Sequence, residues 1–283
     1  MKCLVCGSTT FLQEFVVTRP DPYRALLGAN VAEARYHECN TCEGMIFEGD
    51  SRAEHLYDGG AYYGVDSDPK EFLAKRFNQV ASLPPERSDN QARVARIQSY
   101  LTMHFSSIAS SGTAHIADVG AGMGIFLHKF LAGNWRGTAI EPDPYACEFI
   151  KSMNPDVEVL QGYSQTVTHK RRYDLITLNR VLEHVQNPTE LLRGEASRLS
   201  SKGLLYLEVP DTESFYLDGP NNEAFGYTHF VVYSPLTLAF AVRDSPLEIQ
   251  HLQRIKEPSG KYTLYAFLSQ RTSFTTRGSK YRG

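Results

Sequence analysis

HIADVGAGMGIFLHKF, residues 115–130, decides the fold. HIADV is a short apolar run of strand type. It breaks at three alternate glycines, Gly120, Gly122 and Gly124, and the following IFLHKF has helical spacing, which predicts a helix over 123–133 ending at Gly133. Reading outward, the same alternation recurs. RGTAIEP (136–142) is a strand, Pro144 to Met153 a helix, VEVLQG (157–162) a strand and YDLITLN (173–179) another. A helix over Pro188 to Leu199 and the strand KGLLYLEVP (202–210) follow. This pattern predicts βαβ units and a parallel sheet covered by helices on both faces. LEIQHLQRI (247–255) and YTLYAFLSQ (262–270) come close together and should finish the sheet as an antiparallel pair. The expected class is α/β: a Rossmann-like, mostly parallel seven-stranded sheet with a terminal antiparallel strand.

Upstream, Phe72 to Ala81 and Gln91 to Ile108 show helical spacing, the second through Val94, Ile97 and Leu101. LPPERSDN (83–90) between them reads as a breaker with Asp89 or Asn90 as helix cap. The first 50 residues have short β-like runs such as Phe11 to Val17. Four units are therefore expected: a segment at 1–50 whose two CxxC pairs make it zinc-ribbon-like, a linker or lid at 51–88, the α/β domain at 89–270, and a polar basic tail at 271–283, read as solvated. The tyrosine- and glycine-rich stretch LYDGGAYYG (56–64) is the candidate lid.

Composition narrows the function. A hydrophobic content of 42% with 22% charged residues suffices for a buried core. A net charge of −3 argues against nucleic acid as partner, since such affinity rests on neutralising phosphates. No apolar run is long enough to span a bilayer, and the amino terminus lacks the apolar core of a signal peptide. A cytoplasmic protein acting on a small molecule is the expectation; the oligomeric state is not legible.

Four of the five cysteines form two CxxC pairs, Cys3 with Cys6 and Cys39 with Cys42. Each CxxC turn aims two sulfurs at one point, and two turns complete a closed tetrahedral Zn2+ site. With no position left for water, such a site is structural. The 32 residues between Cys6 and Cys39 must fold back on themselves. Metal binding would add on the order of 10 kcal/mol to a segment too small to hold itself by an apolar core.

The glycine turn is one of several features that fall at carboxyl ends of predicted strands, the edge where open α/β sheets bind ligands. Its spacing is GxGxG after Asp118, unlike the GxGxxG that fits a dinucleotide pyrophosphate, so hydride transfer is the weakest reading. Glu141 ends the second strand, where a carboxylate can accept both ribose hydroxyls. Gly162 and Tyr163 end the third, where an adenine would lie, and Asn179 ends the fourth.

DVGAGMG (118–124), AIEPD (139–143) and YDLITLNRVLEHVQNP (173–188) together resemble the successive motifs of class I S-adenosylmethionine-dependent methyltransferases over roughly residues 90–270. With the cysteine pairs in front, the chain resembles bacterial methyltransferases with a zinc-binding amino-terminal segment, among them sugar methyltransferases acting on nucleotide-linked deoxysugars. It is shorter than the sugar C-methyltransferases of that group, which carry a further carboxyl-terminal domain. The resemblance implies S-adenosylmethionine as cofactor. It implies that Asp118 and the Gly120, Gly122 and Gly124 backbone hold the methionine part, that Glu141 holds the ribose, and that Asn179 lies beside the methionyl group or sulfonium.

Methyl transfer from a sulfonium needs an aligned nucleophile, and an alcohol acceptor gains from a base at about 3 Å. His229, in GYTHFVVYS, and His184, in LEHV, are the candidate bases; for His184 the resemblance also offers a role in shaping the cofactor pocket. Tyr62, Tyr63, Tyr227 and Tyr233 are candidate rings for a sugar face or a sulfonium. Arg180 and Arg243 are candidates to pair a substrate phosphate. The acceptor expected is a hydroxyl or carbon of a sugar or nucleotide-linked sugar. Two other readings stand beside it: methylation of another small metabolite or natural product, and a non-catalytic cofactor-binding scaffold whose zinc segment meets a partner.

Overall fold

The computed structural model describes residues 1–21, 23–27, 33–49, 56–57, 62–63, 68–105, 114–132, 135–168 and 171–271. Most of the candidate lid (58–61 and 64), Ile108 and the tail from 272 onward lie outside the described residues.

The strands form in the order read from the alternation. β4 (His115–Val119) pairs in parallel with β5 (Arg136–Glu141) on one side and β7 (Tyr173–Asn179) on the other. β6 (Glu158–Gln161) extends the sheet beyond β5, and β8 (Leu199–Pro210) beyond β7. β11 (Tyr262–Gln270) lies antiparallel to β8, and β10 (Leu247–Lys256) lies antiparallel to β11. The order is therefore β10-β11-β8-β7-β4-β5-β6. The antiparallel strand, last in the chain, sits one place in from the sheet edge. β11 is almost continuously buried and β10 is mostly half-exposed, so the strand with two apolar faces takes the inner place.

One face carries α3 (Asp89–His104), α4 (Ile125–Phe130) and α5 (Pro144–Met153), which pack Val94, Ile97, Leu101, Phe126, Phe130 and Ile150 onto the strands. The opposite face carries α6 (Pro188–Arg198) and α8 (Pro235–Arg243), which contribute Leu191, Leu192 and Leu238. Short helices α1 (Tyr23–Leu27) and α7 (Glu213–Asp218) sit in connections, and α2 (Pro69–Ala81) packs against α4 and α5.

Two boundaries differ from expectation. Ser88, rather than Asp89 or Asn90, caps α3, accepting from the Gln91 amide. The Asp89 carboxylate is spent on the Ser259 amide and hydroxyl instead, tying α3 to the β10–β11 turn. α4 ends at Phe130, three residues before Gly133.

At the amino terminus β1 (Phe11–Val17), β2 (Ala34–Cys39) and β3 (Met45–Glu48) form an antiparallel sheet. Its fourth strand is β9 (Val231–Val232), contributed by the α/β part of the chain. Tyr36, Met45 and Ile46 accordingly share one buried cluster with Phe225, Leu238 and Leu205.

Candidate active site

Two cavities open at the carboxyl edge of the sheet. The first, about 470 Å³, is lined by the β4 turn (Val119, Gly120, Gly122), the end of β5 (Ile140, Glu141, Pro142) and residues 162–166 after β6. Arg180, Val181, His184 and Val185 after β7, with Tyr57, Tyr62 and Tyr63, complete it. Gly120 and Gly122 are left-handed, with φ of 68° and 56°. A Cβ on Gly120 would stand 2.7 Å from Val181, so only glycine lets the β7 loop approach the turn.

The Glu141 side chain is buried at that turn. Oε2 accepts from the Gly122 amide at 2.7 Å and Oε1 from the Asp143 amide at 3.0 Å. A carboxylate offers about four acceptor positions, so two remain for a ligand's hydroxyls. Burial pushes its carboxyl up to about 7, against which the two amides work. Asp118 is placed differently. It accepts from Thr177 Oγ1 at 2.6 Å and Asn179 Nδ2 at 2.8 Å, burial raising its carboxyl to about 7. Asp118, Asn179 and Gly124 do not line the cavity. Asp118 holds Asn179 from below, and Gly124 packs where a Cβ would meet Ile150 at 2.9 Å.

The second cavity, about 430 Å³, shares Tyr62, Arg180 and His184 with the first. Its other walls are the loop Asn222–Gly226 with Thr228 and His229, the β10–β11 turn (Lys261, Tyr262), Glu183, and Arg19, Asp21 and Tyr23 from the amino-terminal segment. The His184 and His229 rings meet edge to face at 4.7 Å. His229 Nδ1 lies 2.7 Å from the Ala224 carbonyl and His184 Nδ1 2.7 Å from the Thr228 carbonyl. A carbonyl only accepts, so each Nδ1 carries the proton and each Nε2 a lone pair. Burial lowers His184 to about 4 and His229 well below its ordinary value. Both rings are neutral at physiological pH and able to accept a proton or ligate a metal.

Arg180 stands where the cavities meet, in a left-handed conformation (φ 60°) unusual for a side chain of its size. Its guanidinium is held by Thr263 Oγ1 at 2.6 Å and Glu208 at 3.6 Å. Burial alone would raise Glu208, but Arg93, Arg180 and Arg96 bring it down to about 2, so it stays a carboxylate.

The amino-terminal segment braces this region. Tyr36 Oη accepts from the Gly226 amide and lies 2.7 Å from the Gly226 and His229 carbonyls. The Phe47 amide donates to the Phe230 carbonyl at 2.9 Å. Asn221 Oδ1 accepts from the Thr18 and Arg19 amides. Behind these contacts lie the four cysteines. Cys3 and Cys42 sulfurs are 3.6 Å apart, Cys6 and Cys39 sulfurs 3.5 Å, and all four lie within 4.8 Å of one another. Disulfide sulfurs would stand at about 2.05 Å. Sulfurs bound at about 2.3 Å to one tetrahedral ion stand about 3.8 Å apart, so the cluster could hold one. Donation from Cys42 lowers Cys3 to about 5, while burial pushes Cys6 up to about 11.

Of the residues singled out in the sequence, the cavities gather Gly120, Gly122, Glu141, Gly162, Tyr163, Arg180, Tyr62, Tyr63, His184 and His229. Besides Asp118, Asn179 and Gly124, three more do not reach them. Tyr227 is buried with its ring 6.0 Å from Phe47, and Tyr233 donates to the Leu182 carbonyl. Arg243 pairs with its neighbour Asp244 on the surface. These are framework positions. Glu183, Arg19, Asp21, Tyr23 and Tyr57 were not singled out. Glu183 sits in the LEHV motif beside His184, where its chemistry was legible, whereas Arg19, Asp21 and Tyr23 reach the cavity only through the long-range docking of the amino-terminal sheet.

Comparison with known proteins agrees with this architecture. The methyltransferase-domain family matches residues 68–263. A ubiquinone biosynthesis O-methyltransferase of Hydrogenovibrio crunogenus is 26% identical over 151 residues, 51% of this chain and 61% of that protein. Among solved structures, 1,6-didemethyltoxoflavin-N1-methyltransferase of Burkholderia thailandensis, bound to its acceptor and S-adenosylhomocysteine, superposes with a TM-score of 0.52 at 17% identity. That match covers 72% of this chain and 87% of that one. Magnesium protoporphyrin IX methyltransferase of Synechocystis, with bound S-adenosylhomocysteine, gives 0.55 at 11% identity over 70% and 94%. At these identities the structures establish the shared fold. No described helix is long and apolar enough to cross a membrane.

Proposed function

The chain belongs to the methyltransferase-domain family, and from that membership we propose that it transfers the methyl group of S-adenosylmethionine to a small polar acceptor, the hydroxyl or a carbon of a sugar or nucleotide-linked sugar. The observation that carries the reading is the pair of cavities meeting at Tyr62, Arg180 and His184. The first suits the cofactor. Glu141 has two acceptor positions for the ribose hydroxyls, the Gly120–Gly122 backbone lies against the methionine part, and Gly162 and Tyr163 border the adenine. Asp118 acts by fixing Asn179, which keeps a buried Oδ1 without a partner. The second suits the acceptor, with Arg19, Arg180 and Lys261 set among Asp21, Glu183 and Glu223.

Between them the acceptor oxygen attacks the methyl carbon in line with the breaking S–C bond. The oxygen gains the methyl group, the sulfur keeps the bonding pair as S-adenosylhomocysteine, and the acceptor's proton passes to His229 Nε2. His184 braces that ring and closes the cofactor side. Tyr57, Tyr62 and Tyr63 line the first cavity, where their rings would favour the cofactor's sulfonium and exclude water. The cysteine cluster is read as a structural Zn2+ site, supported by its four converging thiols and tetrahedral spacing; its metal does not enter the reaction.

A second reading, methylation of another small metabolite or natural product, is favoured by the relatives, whose names give ubiquinone, toxoflavin and porphyrin chemistry. Labelled methyl transfer across a panel of nucleotide sugars and natural-product phenols separates them. Turnover on the sugars supports the first, and turnover on the phenols alone removes it. In the active pairing, His229→Gln should cut kcat by about 10²–10⁴ with S-adenosylhomocysteine affinity unchanged within about twofold.

A further inference from the structure

We propose that Glu183, His184 and His229 form a binding site for a divalent transition-metal cation, separate from the cysteine cluster and open to the acceptor cavity. One carboxylate oxygen and one ring nitrogen from each histidine lie within 4.8 Å of one another. The inference goes beyond methyl transfer, since it stands on these side chains whether or not a methyl group moves beside them.

Each ring keeps one acceptor nitrogen. Each Nδ1–H is spent on a backbone carbonyl, His229 on Ala224 and His184 on Thr228, so neither ring has a donor left to offer its neighbours. Metal-binding histidines are commonly fixed in this way, one ring nitrogen tied to a carbonyl and the other facing the ion. Glu183 is 1% exposed and its Oε2 is buried without a hydrogen-bond partner. A buried carboxylate oxygen left unpaired is costly. One proton shared within the trio would bridge two of these acceptors and leave the third unpaired; a cation satisfies all three.

The surroundings supply the rest of such a site. Arg180, the cationic group nearest in sequence, is matched by Glu208. Glu183 and both histidines line the acceptor cavity, which leaves coordination positions for water or an acceptor oxygen. The backbone is anchored on both sides: the Phe230 amide donates to the Glu183 carbonyl and Tyr36 bonds the His229 carbonyl. Two imidazoles and one carboxylate suit Mn2+, Fe2+, Co2+ or Zn2+ over Mg2+ or Ca2+, which prefer all-oxygen sets. Ligands of one ion at about 2.1 Å stand roughly 3.0–3.4 Å apart, a closure that side-chain rotation can supply. With the cation bound, an acceptor oxygen would ionise against the metal, and His229 would act as ligand instead of base.

Cobalt distinguishes the two metal sites. Full-length protein loaded with one equivalent of Zn2+ is titrated with Co2+ by calorimetry and visible spectroscopy. The expected result is one further saturable equivalent with weak visible bands and no thiolate-to-cobalt charge-transfer absorption. Glu183→Gln and His229→Gln should each weaken uptake by about 100-fold or more, since second-shell changes alone cost 10–100-fold. S-adenosylhomocysteine titration of the same samples reports folding and the cofactor site independently. No second equivalent in the wild type, absorption of thiolate type only, or uptake unchanged in both folded variants would each overturn the site. Should either variant fail to fold, His184→Gln and the wild-type titration decide.

Discussion

Replacing Glu141 with alanine tests the cofactor site most directly. Its two oxygens hold the Gly122 and Asp143 amides, about two acceptor positions remain, and the residue lines the cavity. Two ribose hydroxyls donating to a carboxylate contribute about 1.5–3 kcal/mol each. Even at the lower bound, about 3 kcal/mol corresponds to a loss of more than 100-fold in affinity. The Gly122 amide would also lose its acceptor, loosening the turn that faces the cofactor. Calorimetric titration with S-adenosylmethionine and S-adenosylhomocysteine should therefore show both weakened by at least about 100-fold. The pH dependence gives an internal check. Burial holds the free carboxyl at about 7, and donor hydroxyls favour its charged form, so binding releases a proton when the site starts protonated. Affinity should rise as pH increases through about 7 and level off above it, a dependence that Glu141→Gln abolishes. Wild-type affinity in Glu141→Ala within threefold, with a native melting profile, would refute the assignment.

Other perturbations follow from the same contacts. Gly120→Ala forces a Cβ to 2.7 Å from Val181 in a left-handed backbone, and should destabilise by about 1–3 kcal/mol, read by denaturant melts, while weakening cofactor binding. Tyr36→Phe removes the hydroxyl shared by Gly226 and His229; it should lower stability by about 1–3 kcal/mol and speed hydrogen exchange over 224–230, with S-adenosylhomocysteine affinity intact. With the cysteine cluster proposed as a Zn2+ site, a thiol-competing chelator should unfold the amino-terminal sheet of the zinc-loaded protein, which circular dichroism and exchange at 34–48 would report. Since that sheet holds the His229 loop, transfer should be lost before cofactor binding; simultaneous loss of both would contradict a bracing role.

The sequence by itself determined what depends on local pattern. Alternating apolar strands and helices specify a parallel sheet. Three glycines between β4 and α4, followed by Glu141 at the next strand end, mark the ligand-binding edge because strand order places those ends together. The two CxxC pairs likewise led to the expectation of four sulfurs at one point, where the structure gathers them. Tertiary structure alone decided which polar residues face the cavity. Asp118 and Asn179 stand at the right strand ends, yet they bond to each other and do not line the cavity. Tyr227 and Tyr233 lie close to His229 in the chain, but both are buried in the core cluster. Arg19, Asp21 and Tyr23 reach the second cavity from some 200 positions away because β9 completes the β1–β3 sheet. The Glu183 carboxylate finds His229 for the same reason: a contact across 46 residues depends on how two loops dock, and no periodicity in the chain encodes it.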